Sequence, residues 1–350
     1  MAVRCLALIV AVLSLALQPA AADDVEDFYR GKSVTLIVGY GPGGGFDTFA
    51  RLLARHIGQC IPGTPAIIVQ NMPGAGSLVA TNYLYNLAPK DGTVFGLIAR
   101  NIPLVGLIGD NRNFRFDPRK FNWLGSTSDY SKDAYVLIVR KGGPIRSIEE
   151  AIRPGGPTLT LGGTAAGGGS NDVPRILREA LGLRVHLIAG YPDSAALNLA
   201  IENREINGRT IELSSVRASK PGWLAPDGEF KVLLQYARAT RHEELPDVPT
   251  ARELALNDAA RSFIAFTESP FAMAWPYAAP PGVPARRIEA LQTAFEAVHR
   301  NAKFVAESEA MGGEVSFVDA KELAKRIDSV SKASPELVEQ MKVILAVGGR

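Results

Sequence analysis

Two segments in separate halves of the chain share one plan: a short apolar strand, a glycine-rich loop and a helix that begins at once. They read GYGPGGGFDTFARLLA at 39–54 and GGTAAGGGSNDVPRILREALG at 162–182. Glycines permit the tight reversal and let a ligand approach the backbone, while the helix behind offers unpaired N–H groups and the positive end of its dipole. One such unit suits an anion. Two of them predict two lobes whose strand ends face each other across a ligand site.

Strand and helix alternate around these loops. Residues 33–39 (SVTLIVG), 66–70 (AIIVQ) and 93–99 read as strands, with helical spacing at 46–57 and 77–87 between them. This βαβαβ order predicts a parallel sheet covered on both faces. The order restarts with strands at 158–161 and 185–188 and helices at 173–181 and 193–202. Proline-rich 245–250 and 278–284 read as irregular, and amphipathic stretches at 285–299, 320–330 and 335–345 are expected to pack back on the first lobe. The expected fold is therefore α/β with two lobes, each a sheet flanked by helices. The first lobe comprises 23–127 with 238–350 and the second 128–237, with crossings near 126–129 and 235–239.

The N-terminus has the form of an export signal. Met1 to Arg4 is cationic, 5–17 is an unbroken apolar run, and Ala20 and Ala22 fit small-x-small cleavage near Ala22. The run falls short of the roughly 20 residues a membrane span needs. No cysteine stands at the cleavage site, and cleavage leaves Cys60 as the sole cysteine, as expected for a periplasmic chain without a disulfide. A composition of 47% hydrophobic and 21% charged residues excludes a disordered chain, a coiled coil and a polytopic membrane protein. With 38 Lys+Arg against 36 Asp+Glu and no block of like charge, nucleic acid is not an expected partner.

Gly39, Gly41 and Gly44 formally match G-x-G-x-x-G, but Pro42 removes a donor from the cradle and the second strand ends in Gln70, with no acid to hold a ribose. A P-loop is excluded, because no Gly-Lys-Ser/Thr follows. Asp47 at the helix start reads either as a cap or as an organiser of ligand-bridging water, and Ser170 and Asn171 read as caps or contacts in the second loop. His56, His186, His242 and His299 lie far apart without metal-ligand spacing, and Cys60 has no histidine placed to activate it. Ser329 to Lys332 spells S-x-x-K by chance in a charged helix, and no G-x-S-x-G occurs. No catalytic residue, metal or cofactor is expected. Two other readings stay open: an exported enzyme on a similar two-lobed frame, either a nucleotide-dependent oxidoreductase or a hydrolase, and a ligand-sensing subunit of a signalling system.

The motifs resemble those of the extracytoplasmic solute receptors of tripartite tricarboxylate transporters, the Bug proteins. Pro42-Gly43-Gly44-Gly45-Phe46-Asp47 is followed by Ala50-Arg51-Leu52-Leu53-Ala54, then Asn71-Met72-Pro73-Gly74-Ala75-Gly76, Pro89-Lys90-Asp91-Gly92-Thr93, LPDVPT at 245–250 and APPGVP at 279–284. The resemblance implies a type II periplasmic binding fold that closes on a small carboxylate and delivers it to a permease with large and small subunits. It implies that backbone N–H groups and water of Gly43 to Asp47 and of 164–171 hold the carboxylate. Gly39 and Gly41 stand where the family usually has prolines, Asn171-Asp172 where a histidine is usual, and Tyr191-Pro192-Asp193 where a Tyr-Gly element is usual. Arg100, at the end of the third strand, reads as a bidentate carboxylate holder or as half of a structural salt bridge. Tyr40, Phe46 and Tyr191 read as aromatic walls or as core. As walls they favour an aromatic or medium-length carboxylate over citrate. The candidate ligand contacts are Tyr40, Gly43, Gly44, Gly45, Phe46, Asp47, Ser77, Arg100, Thr164, Gly168, Gly169, Ser170, Asn171, Tyr191 and Ser214, in a chain expected to be monomeric.

Overall fold

The apolar run of β1 (Ser33–Val38) sits inside a sheet, with Val34, Leu36, Ile37 and Val38 buried. A strand hidden on both faces needs apolar residues at consecutive positions, which is how this one reads. In the computed structural model, which describes residues 25–108, 112–165 and 167–346, β1 pairs in parallel with β2 (Ala66–Asn71) on one side and β3 (Val94–Leu97) on the other. The expected signal segment 1–22 lies outside the described residues.

The chain then adds β4 (Asn122–Ser126) and leaves for a second sheet made of β5 (Tyr135–Arg140), β6 (Leu159–Gly162), β7 (Val185–Ile188), β8 (Gly208–Glu212) and β9 (Phe230–Tyr236). It returns with β10 (Pro276–Ala279) and β11 (Val318–Asp319). The first sheet has the order β11-β4-β10-β3-β1-β2 and the second β7-β6-β8-β5-β9. In each, the glycine-loop strand runs parallel to its βα neighbours, while the strands contributed by chain crossings, β10 and β5, run antiparallel.

The helices are α1 (Val25–Tyr29), α2 (Gly45–Ile57), α3 (Leu78–Asn86), α4 (Ile102–Ile108), α5 (Ile148–Ile152), α6 (Gly169–Leu181), α7 (Ser194–Glu202), α8 (Leu213–Ser219), α9 (Asp258–Thr267), α10 (Ala285–His299), α11 (Ala302–Ala310), α12 (Ala320–Val330) and α13 (Pro335–Ala346). The sequence places the start of α6 at 173, with Ser170 and Asn171 read as caps or contacts in the loop before it. The helix begins at Gly169, since the N–H groups of Asn171 and Asp172 already bond to the Gly168 carbonyl. Helices α10 and α12 pack on β4 of the first sheet. Helices α9 and α13 lie against α6, beside the second sheet; of the three stretches expected on the first lobe, 335–345 alone departs in this way.

Side chains of β5 alternate between two cores. Leu137 and Val139 join α6 in an apolar cluster continuous with the first sheet, whereas Val136 and Ile138 pack with Leu197, Ile201, Ile211 and Trp223 on the other face. Phe271, in the return segment, meets Tyr130, Tyr135 and Tyr236 with ring centroids 5.2, 5.0 and 5.4 Å away. Both passages of chain between the sheets thus share one aromatic knot.

Candidate functional site

The loop from β1 to α2 and the loop from β6 to α6 open on the same cleft, of about 500 Å³. Their construction is nearly the same. Gly43 (φ +82°) and Gly167 (φ +85°) make the turn in the left-handed region, where a side chain is strained. Gly44 and Gly168 are the N-cap residues and supply no side-chain cap. An acid inside each helix then reaches back. Asp47 Oδ2 accepts from Gly43 N at 2.9 Å, and the Asp172 carboxylate accepts from Gly167 N at 3.1 and 3.2 Å. The arrangement resembles the returning acid of a capping box.

Asp47 is therefore a fastener of the loop, not its cap and not part of the cleft wall. It is 4% exposed, and besides Gly43 N it accepts from Arg51 Nε at 3.0 Å and Asn71 Nδ2 at 2.8 Å. Burial works against its charge, but the bonds from Arg51, Gly43 and Asn71 outweigh it and hold the carboxyl below the usual range. Asn71 also donates to the Tyr40 carbonyl at 2.9 Å, so β2, α2 and the loop are tied at one point.

Of the candidate contacts, Tyr40, Gly43, Gly44, Gly45, Phe46, Arg100, Thr164, Gly168, Gly169 and Ser170 line the cleft. Asp47, Ser77, Asn171, Tyr191 and Ser214 do not. Ser77 lies behind the wall, its Oγ accepting from Ala99 N at 3.1 Å, and it packs so close to Gly39 that a Cβ there would overlap it. Asn171 is buried against Asp172, with Nδ2 donating at 3.0 Å. Tyr191 packs on the second-sheet core. Ser214 fastens α8 to the crossing segment by donating from its N and its Oγ to the buried Asp133. Burial pushes the Asp133 carboxyl up to about 7 against those bonds.

Arg100 realises the salt-bridge reading. Its Nη2 lies 2.5 Å from Glu212 Oε1, its Nη1 donates to Tyr130 Oη at 3.1 Å and its Nε to the Ala274 carbonyl at 3.2 Å. Rings of Phe271, Tyr130, Phe46 and Tyr135 stand 4.8, 5.3, 5.6 and 5.7 Å from the guanidinium carbon. Tyr40 and Phe46 meet as tilted rings with centroids 4.4 Å apart, and Phe46 and Trp275 likewise at 4.6 Å, so one wall is aromatic.

The sequence reading missed the second-lobe end of the cleft: Asp193, Ser194, Asn198, Glu202, Arg209, Glu212, Ser215 and Lys220. Lys220 and Glu202 pair at 2.6 Å, and Asp193 caps α7 through Ala196 N at 2.8 Å. The signal was two charged residues, Arg209 and Glu212, in a strand otherwise built for burial. Among the described residues no group of three or more His, Cys, Asp or Glu is placed to hold a metal, and no helix is long and apolar enough to cross a membrane.

The chain matches the profile of the tripartite tricarboxylate transporter family receptor over residues 49–343. It is 28% identical over 309 residues, 84% of either chain, to a UPF0065 protein of Bordetella pertussis. Among solved structures it resembles the periplasmic binding protein BugD, with a TM-score of 0.70 and 21% identity, over 90% of this chain and 98% of that one. It also resembles an R. palustris protein solved with adipate, with a TM-score of 0.68 and 19% identity, over 91% and 98%. At these identities the likeness shows the fold, which is that of the periplasmic binding proteins.

Proposed function

This chain belongs to the tripartite tricarboxylate transporter receptor family, and we propose that it captures a small carboxylate in the cleft and delivers it to the permease subunits of such a transporter. The observation that carries the reading is the pair of glycine loops at helix N-termini, reached from two different sheets and lining one cavity. A carboxylate between them collects backbone N–H bonds from both sides, and these are stronger for a charged acceptor. The donors belong to different lobes, so full coordination needs the shut form, and the ligand gains its differential affinity there. That an R. palustris protein of this fold was solved with adipate supports the carboxylate class.

In this reading 23–127 with 238–350 and 128–237 move as lobes about the segments near 127–134 and after Tyr236, as an exported monomer in the periplasm. The aromatic wall of Tyr40 and Phe46 favours a medium-length or aromatic carboxylate over citrate. The test is a thermal-shift and small-angle scattering screen over hexanoate, adipate, malate, benzoate and citrate. A ligand at 100 times its Kd should add about 2.7 kcal/mol of stability, and the particle should compact. A screen in which no carboxylate stabilises or compacts the protein overturns the reading.

A further inference from the structure

Backbone strain falls where the chain passes between the sheets. Tyr130 (φ +62°) and Ala237 (φ +65°) stand in the left-handed region, which is costly for a residue with a Cβ and an outlier for a bulky one. Tyr130 lies in the first crossing, between β4 and β5, and Ala237 directly follows β9 in the second. Each is held there by contacts from other elements. Tyr130 Oη accepts from Arg100 Nη1 at 3.1 Å, and its ring meets Phe271 edge-on with centroids 5.2 Å apart. Ala237 N donates to Glu268 Oε1 at 2.9 Å, and Glu268, 4% exposed, pairs with Arg252 at 2.5 Å. Arg238 Nη1 ties the two crossings together, donating to the carbonyls of Tyr130, Ser131 and Asp133 at 3.3, 3.2 and 2.7 Å.

Conformations of this kind persist only where the surroundings over-determine them, and they gather at switch regions. Here one stands in each crossing, where closure of the lobes must turn the backbone. Arg100 joins them to the cleft, because the guanidinium that holds Tyr130 also pairs with Glu212 on the far side. We propose that Tyr130 and Ala237 are the joints on which the lobes turn, and that the shut form loads them with strain. Their left-handed backbone belongs to closure and relaxes to negative φ when the cleft opens. Ligand binding winds the hinge, and the stored strain favours reopening. The ligand's preference for the shut form has to offset that strain, so two residues outside the cleft set its affinity. This rests on the two-lobe motion read above and adds to it the residues that bend and the direction of their bias.

The test replaces Ala237, whose side chain ends at Cβ, by Ala237→Gly and separately by Ala237→Asn. Glycine tolerates the left-handed region by lacking a Cβ and asparagine by bonding locally, so their agreement excludes glycine's flexibility as the cause. Thr64→Gly is the control. Thr64 (φ +46°) is left-handed too, but it sits in the turn before β2, at the end of the parallel pair β1 and β2 away from the glycine loop. Titration calorimetry reads the affinity of the full mature protein for whichever of hexanoate, adipate, malate, benzoate and citrate stabilises the wild type, and small-angle scattering reads the ligand-free particle. Both Ala237 variants should bind about three- to tenfold more tightly than wild type, with a ligand-free radius no larger, and Thr64→Gly should match wild type in both. Should the bulkier Ala237→Asn not fold, Ala237→Gly decides. Wild-type or weaker affinity, a gain in only one of two folded Ala237 variants, a larger radius, or an equal gain in Thr64→Gly overturns the sprung hinge and leaves the carboxylate reading standing. If none of the acids binds, the carboxylate reading fails, and the ligand-free radius of Ala237→Gly decides the hinge: a smaller one supports it, and an unchanged or larger one overturns it.

Discussion

Arg100 and Glu212 close the cleft on one another, with Nη2 and Oε1 2.5 Å apart and side chains only 5% and 14% exposed. One follows β3 of the first sheet and the other ends β8 of the second. Breaking a buried pair from one side leaves a charge stranded, which costs about 3–5 kcal/mol. Glu212→Gln should therefore lower stability by an amount of that order and enlarge the ligand-free particle in small-angle scattering. Arg100→Met with Glu212→Leu should recover most of the loss. A Glu212→Gln protein of unchanged melting point and size would show that the pair neither stabilises the fold nor holds the lobes together.

The two loops respond differently to bulk. A Cβ on Gly44 meets nothing within 4 Å, whereas one on Gly169 comes within 2.7 Å of Tyr135 Oη. Gly44→Val should fold at near wild-type stability and lose at least about tenfold in carboxylate affinity, because its branch blocks approach to the backbone donors. Gly169→Val should lose affinity and also about 1–3 kcal/mol of stability by displacing Tyr135. Titration calorimetry and chemical denaturation separate the two effects. Wild-type affinity in either folded variant would make that loop scaffold.

Asp47 acts through the loop. Its folded pKa lies below the unfolded value, so its contribution is present above about pH 4 and disappears as pH falls through the lower folded value. Asp47→Asn cannot accept from all its present donors. It should cost about 1–3 kcal/mol at pH 7, with the gap to wild type closing in acid. Melting curves across pH 2–7 check this, and a gap independent of pH would mean that the charge contributes nothing.

Asp133 has the opposite sign. Its folded pKa of about 7 stands above the unfolded value, so stability from its protonation is full below about pH 4 and is lost as pH rises to about 7. Buried His299, held neutral down to about 4, works the other way in the same window, so the wild-type curve alone mixes the two. The stability of wild type relative to Asp133→Asn isolates the carboxyl. It should fall by up to about 4 kcal/mol between pH 4 and 7 and level off above. A flat difference would refute it.

The strands and both glycine loops were legible because burial on two faces and tight turns impose residue types that survive as pattern. Helix boundaries were legible where a cap spoke, as at Asp193 and Gly182. The contacts made by Asp47 were not, since an acid near a helix start looks alike whether it caps, fastens a loop or meets a ligand. Nor was the second-lobe wall: Arg209 and Glu212 sit three positions apart on one strand, and nothing local tells that one is paired across the cleft and the other is not. The packing of α13 on α6 was equally hidden, because an amphipathic stripe says that a helix has a covered side and not what covers it.

Strand order has a consequence for how such a chain is made. β10 lies between β3 and β4, though some 150 residues of chain separate Ser126 from Pro276. A chain emerging from its N-terminus completes β1, β2 and β3 early but leaves β3 with an open edge, and β4 has no place beside it until β10 arrives. The second sheet, contiguous from Tyr135 to Tyr236, can close first. The first cannot, so the N-terminal part of the chain waits with unpaired edges until β10 (Pro276–Ala279) has been synthesised.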